Sequence, residues 1–441
     1  MEVIQTISRL KKIDFTNDMI IIPILNNSTR HVSTTELSLL YIKDIKTKEE
    51  YMLSFTHYDT LTHLKLEGLR HLHNESVKYV YDKKEMLQIY AFDNLSDISL
   101  MQYLRLNKNI NVEKYITKTH SLFYGKYKAY KTTNNLIPLA KHYEMCSALA
   151  KRFGSVIKKF EDSEEYRFYN DIAVPAFSGM ERNGLRVDKE ILEITFGPMV
   201  NKYISEGKVY TKYNFNTITG RPSNTFGGVN YAALKKADRS RESFISRFGD
   251  KGMLIEFDYV ACHLYLIADI IGYEFPNELT GHEYMASQYF KTDTPTPEQV
   301  TKSKDITFQQ MYGYVSREYG HIEFYKQLKE FINLIWIEHY KNKGVIPLIE
   351  RKTPEVNNKQ KLFNYFVQNY ETKRNAPLIY DLNKLLENYD SKLVLYTYDS
   401  FLLDFNSDDG EELINKIKLI LTEDNKFPIS VKRGKNYKII K

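Results

Sequence analysis

Cysteine is scarce in this 441-residue chain: Cys146 and Cys262 are the two it has. They stand far apart with no metal-type spacing, which argues against a disulfide framework and reads as reduced packing residues of a cytosolic protein. Long apolar runs are missing as well. No stretch reaches the length of a membrane span, and the N-terminal MEVIQTISRLKKIDF lacks the apolar block of a signal peptide. Low-complexity tracts and short-period repeats are absent. Charge of one sign is not in large excess: the formal net charge of +6 permits nucleic-acid binding without arguing for it.

What is present is a hydrophobic fraction of 42% beside 27% charged residues, the balance of a soluble globular chain with room for two or three domains. Tyrosine is abundant, at 35 residues. Aromatics interleaved with Lys and Arg suit base stacking with phosphate neutralisation, although coding bias in an AT-rich genome produces the same usage.

Three strand-like runs open the chain, at residues 19–25, 36–42 and 50–56, and predict an antiparallel meander. The first is followed by the turn material Asn26-Asn27-Ser28-Thr29, the second by the charged stretch 43–49. Helical patterning follows at 97–106 and 136–153. The acidic run 161–165 reads as a domain boundary, and a helix over 166–182 should stop at Asn183-Gly184. Beyond Tyr210, strands and helices alternate. Two strands there carry chemistry: residues 253–258 form an apolar run ending on Asp258, and residues 393–405 read as a hairpin with Asp399 at its tip.

An apolar strand that ends on an aspartate lifts the carboxylate out of the core. Two such strands side by side can serve a common pair of divalent cations, as phosphoryl transfer requires. Taken alone, however, strand-end aspartates more often cap the next element.

The residues around the pair decide between these readings. Phe257-Asp258-Tyr259 with Leu264 and the apolar stretch 266–271 resembles the first palm motif of the family A (DNA polymerase I-like) polymerases. Thr397-Tyr398-Asp399 resembles the last. Between them, Lys304, Phe308, Tyr312 and Gly313 match the fingers pattern K-x-x-x-F-x-x-x-Y-G. His282 with Ala286 resembles the H-x-x-x-A helix, and Asn364 with Gln368 the N-x-x-x-Q helix. Upstream, Thr219-Gly220-Arg221 with Ser223 and Asn230 resembles T-G-R-x-S…N, preceded by Tyr210-Thr211-Lys212-Tyr213-Asn214. Met180-Glu181 with Gly184, Val187 and Asp188 resembles the start of the thumb. The matches occur in the family's order from about residue 165 to the end of the chain.

The resemblance implies an α+β chain with three parts. Residues 1–160 would be a 3′–5′ exonuclease-like (ribonuclease H-like) α/β domain, and 161–208 a linker and vestigial thumb. Residues 209–441 would be a right-hand palm (209–275 and 345–441) with fingers inserted at 276–344. It also implies roles. Asp258, Asp399 and the Tyr259 backbone carbonyl would hold two Mg²⁺ ions, with Mn²⁺ as a substitute. Lys304 and His282 would meet the triphosphate of a deoxynucleotide, Phe308 its sugar and base, and Tyr312 would stack near the template. Arg221, Asn230, Asn364 and Gln368 would hold primer-template DNA at the backbone and minor groove.

The chain also departs from the pattern. His263 stands where the family has the glutamate that excludes ribonucleotides, so sugar selection should change. Tyr265 replaces an arginine, and Val300 and Thr301 replace the fingers arginines, leaving Lys302 or Lys304 to carry the phosphate charge. Tyr398 and Ser400 flank Asp399 in place of His and Glu. Only residues 189–208 separate the thumb motif from the palm, which implies a weak grip on duplex and distributive synthesis unless a processivity factor or other replication protein clamps the DNA.

In the N-terminal part, Lys78-Tyr79-Val80-Tyr81-Asp82 resembles the second acidic exonuclease motif, and Asp97 with Leu100 and Tyr103 the helix after it. The Asp-x-Glu needed after the first strand is missing, and near the third motif there is Tyr143-Glu144 without a well-placed Asp. Proofreading should therefore be lost. Two alternatives stay open: an RNA-templated or ribonucleotide-tolerant polymerase, and a degenerate polymerase kept as a DNA-binding subunit. The expected place of action is the cytoplasm, a host's if the chain is phage-encoded.

Overall fold

Seven consecutive residues from Met19, Met-Ile-Ile-Ile-Pro-Ile-Leu, are a run that a strand buried on both faces favours, and they form the strand Met19–Leu25. This computed structural model describes residues 2–27, 30–120, 137–227, 229–235, 239–276, 278–342, 345–346, 351–352, 356–423 and 425–438. Contacts divide the chain into two units: Met1–Gly184 with Phe196–Lys212, and Leu185–Thr195 with Tyr213–Lys441. No helix among the described residues is long and apolar enough to cross a membrane.

The first unit is built on a six-stranded sheet. Its strands are β1 (Glu2–Ile4), β2 (Met19–Leu25), β3 (Leu37–Asp44), β4 (Glu50–Ser54), β5 (Lys78–Val80) and β6 (Leu95–Asp97), in the order β1-β4-β3-β2-β5-β6. β2, β3 and β4 make the expected antiparallel meander, and β1, β5 and β6 join it in parallel. Ile21, Leu40, Leu53, Leu69, Val80 and Met86 are among the buried core of this unit.

Both carboxylates singled out in the first unit cap helices. Asp82 accepts the Glu85 N–H at 3.0 Å at the start of α1 (Lys83–Ile89). Asp97 accepts the Leu100 and Lys83 N–H groups at 2.8 Å at the start of α2 (Ile98–Leu106). The expected helix at 136–153 is α3 (Leu139–Ile157), with residue 136 outside the described residues. The helix expected over 166–182 is interrupted by a π-turn at Tyr169–Ala173 before it resumes as α4 (Val174–Asn183). Pro175 has no N–H to return to residue 171, so the ladder must shift there. Gly184 ends the helix at φ +61, where a Cβ would lie 2.9 Å from the Tyr210 ring.

The second unit centres on a four-stranded antiparallel sheet: β7 (Gly252–Tyr259), β8 (Lys392–Tyr396), β9 (Ser400–Asn406) and β10 (Ile429–Gly434), in the order β8-β9-β7-β10. Its helices are α5 (Cys262–Ile271), α6 (Gly281–Phe290), α7 (Pro297–Tyr312), α8 (Glu323–Lys341), α9 (Lys359–Leu385) and α10 (Gly410–Thr422). Thr296 starts α7 with a capping box to Gln299, and Pro297 fills its first turn. The 27 residues of α9 carry a polar stripe of Asn364, Gln368, Glu371 and Asn375, spaced four, three and four apart and therefore on one face. Glu371 and Asn375 are buried. Cys146 and Cys262 are free and buried, one in each unit.

Candidate active site

β7 carries Asp258 to the end of its apolar run, and β9 pairs with it so that Asp258 stands opposite Ser400. One step further, the Tyr259 N–H donates to the Asp399 carbonyl at 2.9 Å. The two aspartates, remote in sequence, are thus diagonal neighbours on one ladder. Asp258 is half-buried and pairs through Oδ2 with Lys432 Nζ on β10 at 3.0 Å. Asp399 is exposed.

A tight turn presents Asp399. β8 and β9 are joined by the two-residue loop Tyr398-Asp399, with Thr397 N–H donating to the Ser400 carbonyl at 3.0 Å. The Asp399 N–H returns to the Thr397 carbonyl at 3.0 Å, and Tyr398 takes φ +76. That is the first position of a hairpin loop, where glycine is usual, and the strain of a tyrosine there is on the order of 1–3 kcal/mol. Three contacts hold it. The Tyr398 carbonyl accepts Asn375 Nδ2 at 3.1 Å, its ring lies under the Arg221 guanidinium at 3.8 Å, and the Thr397 and Ser400 hydroxyls meet at 2.6 Å.

A cavity of about 490 Å³ opens beside this turn. Asp399, Tyr259, His263, His282, Lys304 and Phe308 are among its lining residues, so side chains from β7, the hairpin loop, α5, α6 and α7 converge on it. Phe308 is 59% exposed, a large apolar surface left open beside a cation. Of the two candidate lysines, Lys304 lines the cavity, whereas Lys302 pairs with Glu298 at 3.1 Å on the outer surface of α7. Burial, with the neighbouring Lys304 charge, lowers the His282 pKa to about 4, so the ring is neutral at pH 7. Its buried Nδ1 has no hydrogen-bond partner among the described residues. Tyr265, in the place of an arginine, accepts the Gly281 N–H at 2.9 Å and so holds the start of the helix that carries His282.

The remaining expected site residues gather behind the cavity. The Tyr312 hydroxyl bonds His263 Nδ1 and its ring packs against Phe308 and Phe363. Burial, then the Glu371 charge, raises the Tyr312 pKa, so it remains a phenol. Thr219 donates to Gln368 Oε1 at 3.1 Å, and Gln368 Nε2 donates to Asn364 at 2.8 Å. Arg221 pairs with the buried Glu371 at 2.7 Å. Asn230 does not join this group: it is exposed and caps the short turn Tyr231–Ala233.

Glu371, Asn375 and Lys432 were not anticipated. The first two had a signal, because they continue the Asn364–Gln368 spacing along one helix face. Lys432 had none, since its nearness to Asp258 depends on strand register.

Among the described residues no group of three or more His, Cys, Asp or Glu side chains could form a metal cage. The aspartate pair with the Tyr259 backbone is an all-oxygen set of the sparse kind that suits Mg²⁺, which takes few carboxylates and completes its shell with water and substrate phosphates.

No protein-family model matches the sequence, and no curated relative does. Among the solved structures, the chain is similar to the POL domain of Pol1 from M. smegmatis, determined in complex with DNA primer-template and dNTP. The TM-score is 0.74 at 14% identity, covering 99% of this chain and 99% of that one. Identity this low carries the fold alone. The chain has the fold of a DNA polymerase POL domain.

Proposed function

We propose that this chain is a family A-type, DNA-directed DNA polymerase that adds deoxynucleotides to a primer 3′ end by two-metal-ion nucleotidyl transfer. The observation that carries the reading is the adjacency of Asp258 at the end of β7 and Asp399 in the loop leading into its partner β9, with Asp399, Lys304 and His282 lining one cavity. The fold and the bound primer-template and dNTP of the similar polymerase support it.

Asp258, Asp399 and the Tyr259 carbonyl would hold Mg²⁺, or Mn²⁺ in its place. When bound, the metal supplies neutralisation of charge on the transferring phosphoryl group and activation of the primer hydroxyl. Lys304 meets the triphosphate as a point charge, and neutral His282 meets it as a hydrogen-bonding group. Phe308 packs on sugar and base. Tyr312 stacks near the template. Arg221, Asn364 and Gln368, with Asn230 further out, hold the DNA by its backbone and minor groove.

The division into an exonuclease-like domain (1–160), a linker with a vestigial thumb (161–208) and palm with fingers (209–441) belongs to this proposal. So do distributive synthesis and absent proofreading. The latter is supported at the ends of β2 and β5, where a cavity of about 290 Å³ is lined mainly by apolar side chains, with Asp82 and Glu85 as its carboxylates. Lys84 and Lys212 lie close to Asp82. Glu144 faces solvent and pairs with Lys141 at 2.7 Å. Two-metal hydrolysis needs more carboxylates than this.

A second reading, tolerance of ribonucleotides or RNA templates, is favoured by His263 on the cavity wall. Primer extension with Mg²⁺ tests the proposal. Extension by wild type, abolished in Asp258→Asn and Asp399→Asn while DNA binding persists, is the expected result. Retained DNA binding with no extension by any of the three would instead favour a DNA-binding subunit.

A further inference from the structure

We infer that Glu371 is a positioning residue for nucleotide-sugar selection, acting by holding His263 and Arg221 from beneath the cavity. The inference rests on the polymerase reading.

Glu371 is 1% exposed and touches two functional side chains at once. Its Oε2 lies 2.7 Å from Arg221 Nε, and its Oε1 lies 3.8 Å from His263 Nε2. On its far side His263 bonds the Tyr312 hydroxyl through Nδ1. The Nε2 edge of the same ring faces the carboxylate, at more than hydrogen-bond distance. Polar and aromatic neighbours thus follow one another in a chain, Tyr312–His263–Glu371–Arg221–Tyr398, from the C-terminal end of α7 to the residue before Asp399.

Position within the cavity says what this chain controls. Lys304 and His282 mark the end that takes phosphate, and Asp399 with Tyr259 the reacting end. Of the other lining residues, His263 and Phe308 are the two that the polymerase reading sets against the sugar, and of these two His263 is the polar one. A buried carboxylate is costly to desolvate and adds little to stability against a well-packed apolar residue. Its presence at the meeting point of a sugar-side and a primer-side residue is better explained by orientation than by stability.

The test is single-nucleotide incorporation by the purified full chain, with matched deoxy- and ribonucleotides and kcat and KM measured separately. Glu371→Gln removes the charge and keeps the shape. It should lower the deoxy-to-ribo ratio of kcat/KM by about tenfold, and Glu371→Asp should restore most of the ratio. Tyr312→Phe, which cuts the same chain elsewhere, should give a similar loss, and the double variant no more than either single one. An unchanged ratio in Glu371→Gln, or equal losses for both sugars, overturns the inference. Should Glu371→Gln fail to fold by thermal melt, Tyr312→Phe decides: wild-type discrimination there overturns the inference. Failure of the wild type to extend at all would sink the polymerase reading and this inference together, whereas extension with an unmoved ratio sinks only the second.

Discussion

The Tyr398 ring lies against the Arg221 guanidinium, 3.8 Å from ring centroid to Cζ, one residue before the exposed carboxylate of Asp399. The arginine is fixed on its other side by Glu371. An unfavourable tyrosine conformation is thus retained at the turn where a stacked cation compensates it. Tyr398→Phe keeps the ring and should stay within about 0.5 kcal/mol of wild type in stability. Tyr398→Gly relieves the positive φ but frees Arg221. Its melting point should change little while kcat for primer extension falls about tenfold. Equal activity of the Phe and Gly variants would show that stacking is irrelevant.

Lys432 Nζ sits 3.0 Å from the Asp258 carboxylate and competes with any cation for it. Lys432→Ala should therefore shift the Mg²⁺ midpoint of primer extension several-fold lower, on the scale of a partly exposed ion pair of about 0.5–1 kcal/mol. A Mg²⁺ titration reads this directly. A higher midpoint would mean that Lys432 assists substrate binding instead.

Gly313 ends the helix that carries Lys304, Phe308 and Tyr312, and a Cβ there would come 2.6 Å from the Gln309 carbonyl oxygen. Backbone cannot yield as a side-chain tip can. Gly313→Ala should cost about 1–3 kcal/mol in urea unfolding and raise the nucleotide KM. A fully stable variant with unchanged KM would show that the turn relaxes freely.

Asp82 should prove structural. Asp82→Ala removes the cap of α1 and should cost about 1–2 kcal/mol, without altering the fate of a mismatched primer end. Primer degradation by the wild type, lost in this variant, would show a working exonuclease.

Acid should weaken the first unit through two of its buried histidines. Burial lowers the pKa of His31 and of His142 to about 3 each, with the Lys84 and Lys212 charges adding at His31 and His57 at His142. Unfolded, both take up a proton near pH 6.5. The unfolded chain thus binds more protons between pH 6.5 and 3, and stability is kept above 6.5 and lost as pH falls through that window. Each histidine contributes a slope of up to about 1.4 kcal/mol per pH unit. Chemical unfolding across pH 7 to 4 measures it, and His142→Gln should flatten the slope.

Much of the framework was readable because it rests on local pattern. The β2 run, the Gly184 stop and the Asp399 hairpin each depend on a few adjacent residues, and each appears as expected. Lys304 and Phe308 share the cavity wall because four-residue spacing fixes a helix face. Other features were not legible, since they depend on which distant segments meet. The Lys432–Asp258 pair needs the β7–β10 register, and the Glu371–Arg221 pair needs α9 packed against the segment Thr219-Gly220-Arg221. The φ of Tyr398 breaks the local rule for hairpin loops, so no local rule could supply it.

The direct pairing of β7 with β9 has a consequence for how this protein comes into being. Residues 260–391 leave the sheet after Asp258 and return to it before Asp399, so joining the two aspartates closes a very long loop. Loop-closure entropy grows only logarithmically with length, so the excursion can gain or lose residues at little thermodynamic expense. It does, however, delay contact. On a ribosome, α5 through α9 are all made before Asp399 exists, so under the proposed reading the metal-binding pair is incomplete until the last strands are in place. On that reading, a product truncated before Asp399 would carry Lys304, His282 and Asp258 and extend no primer.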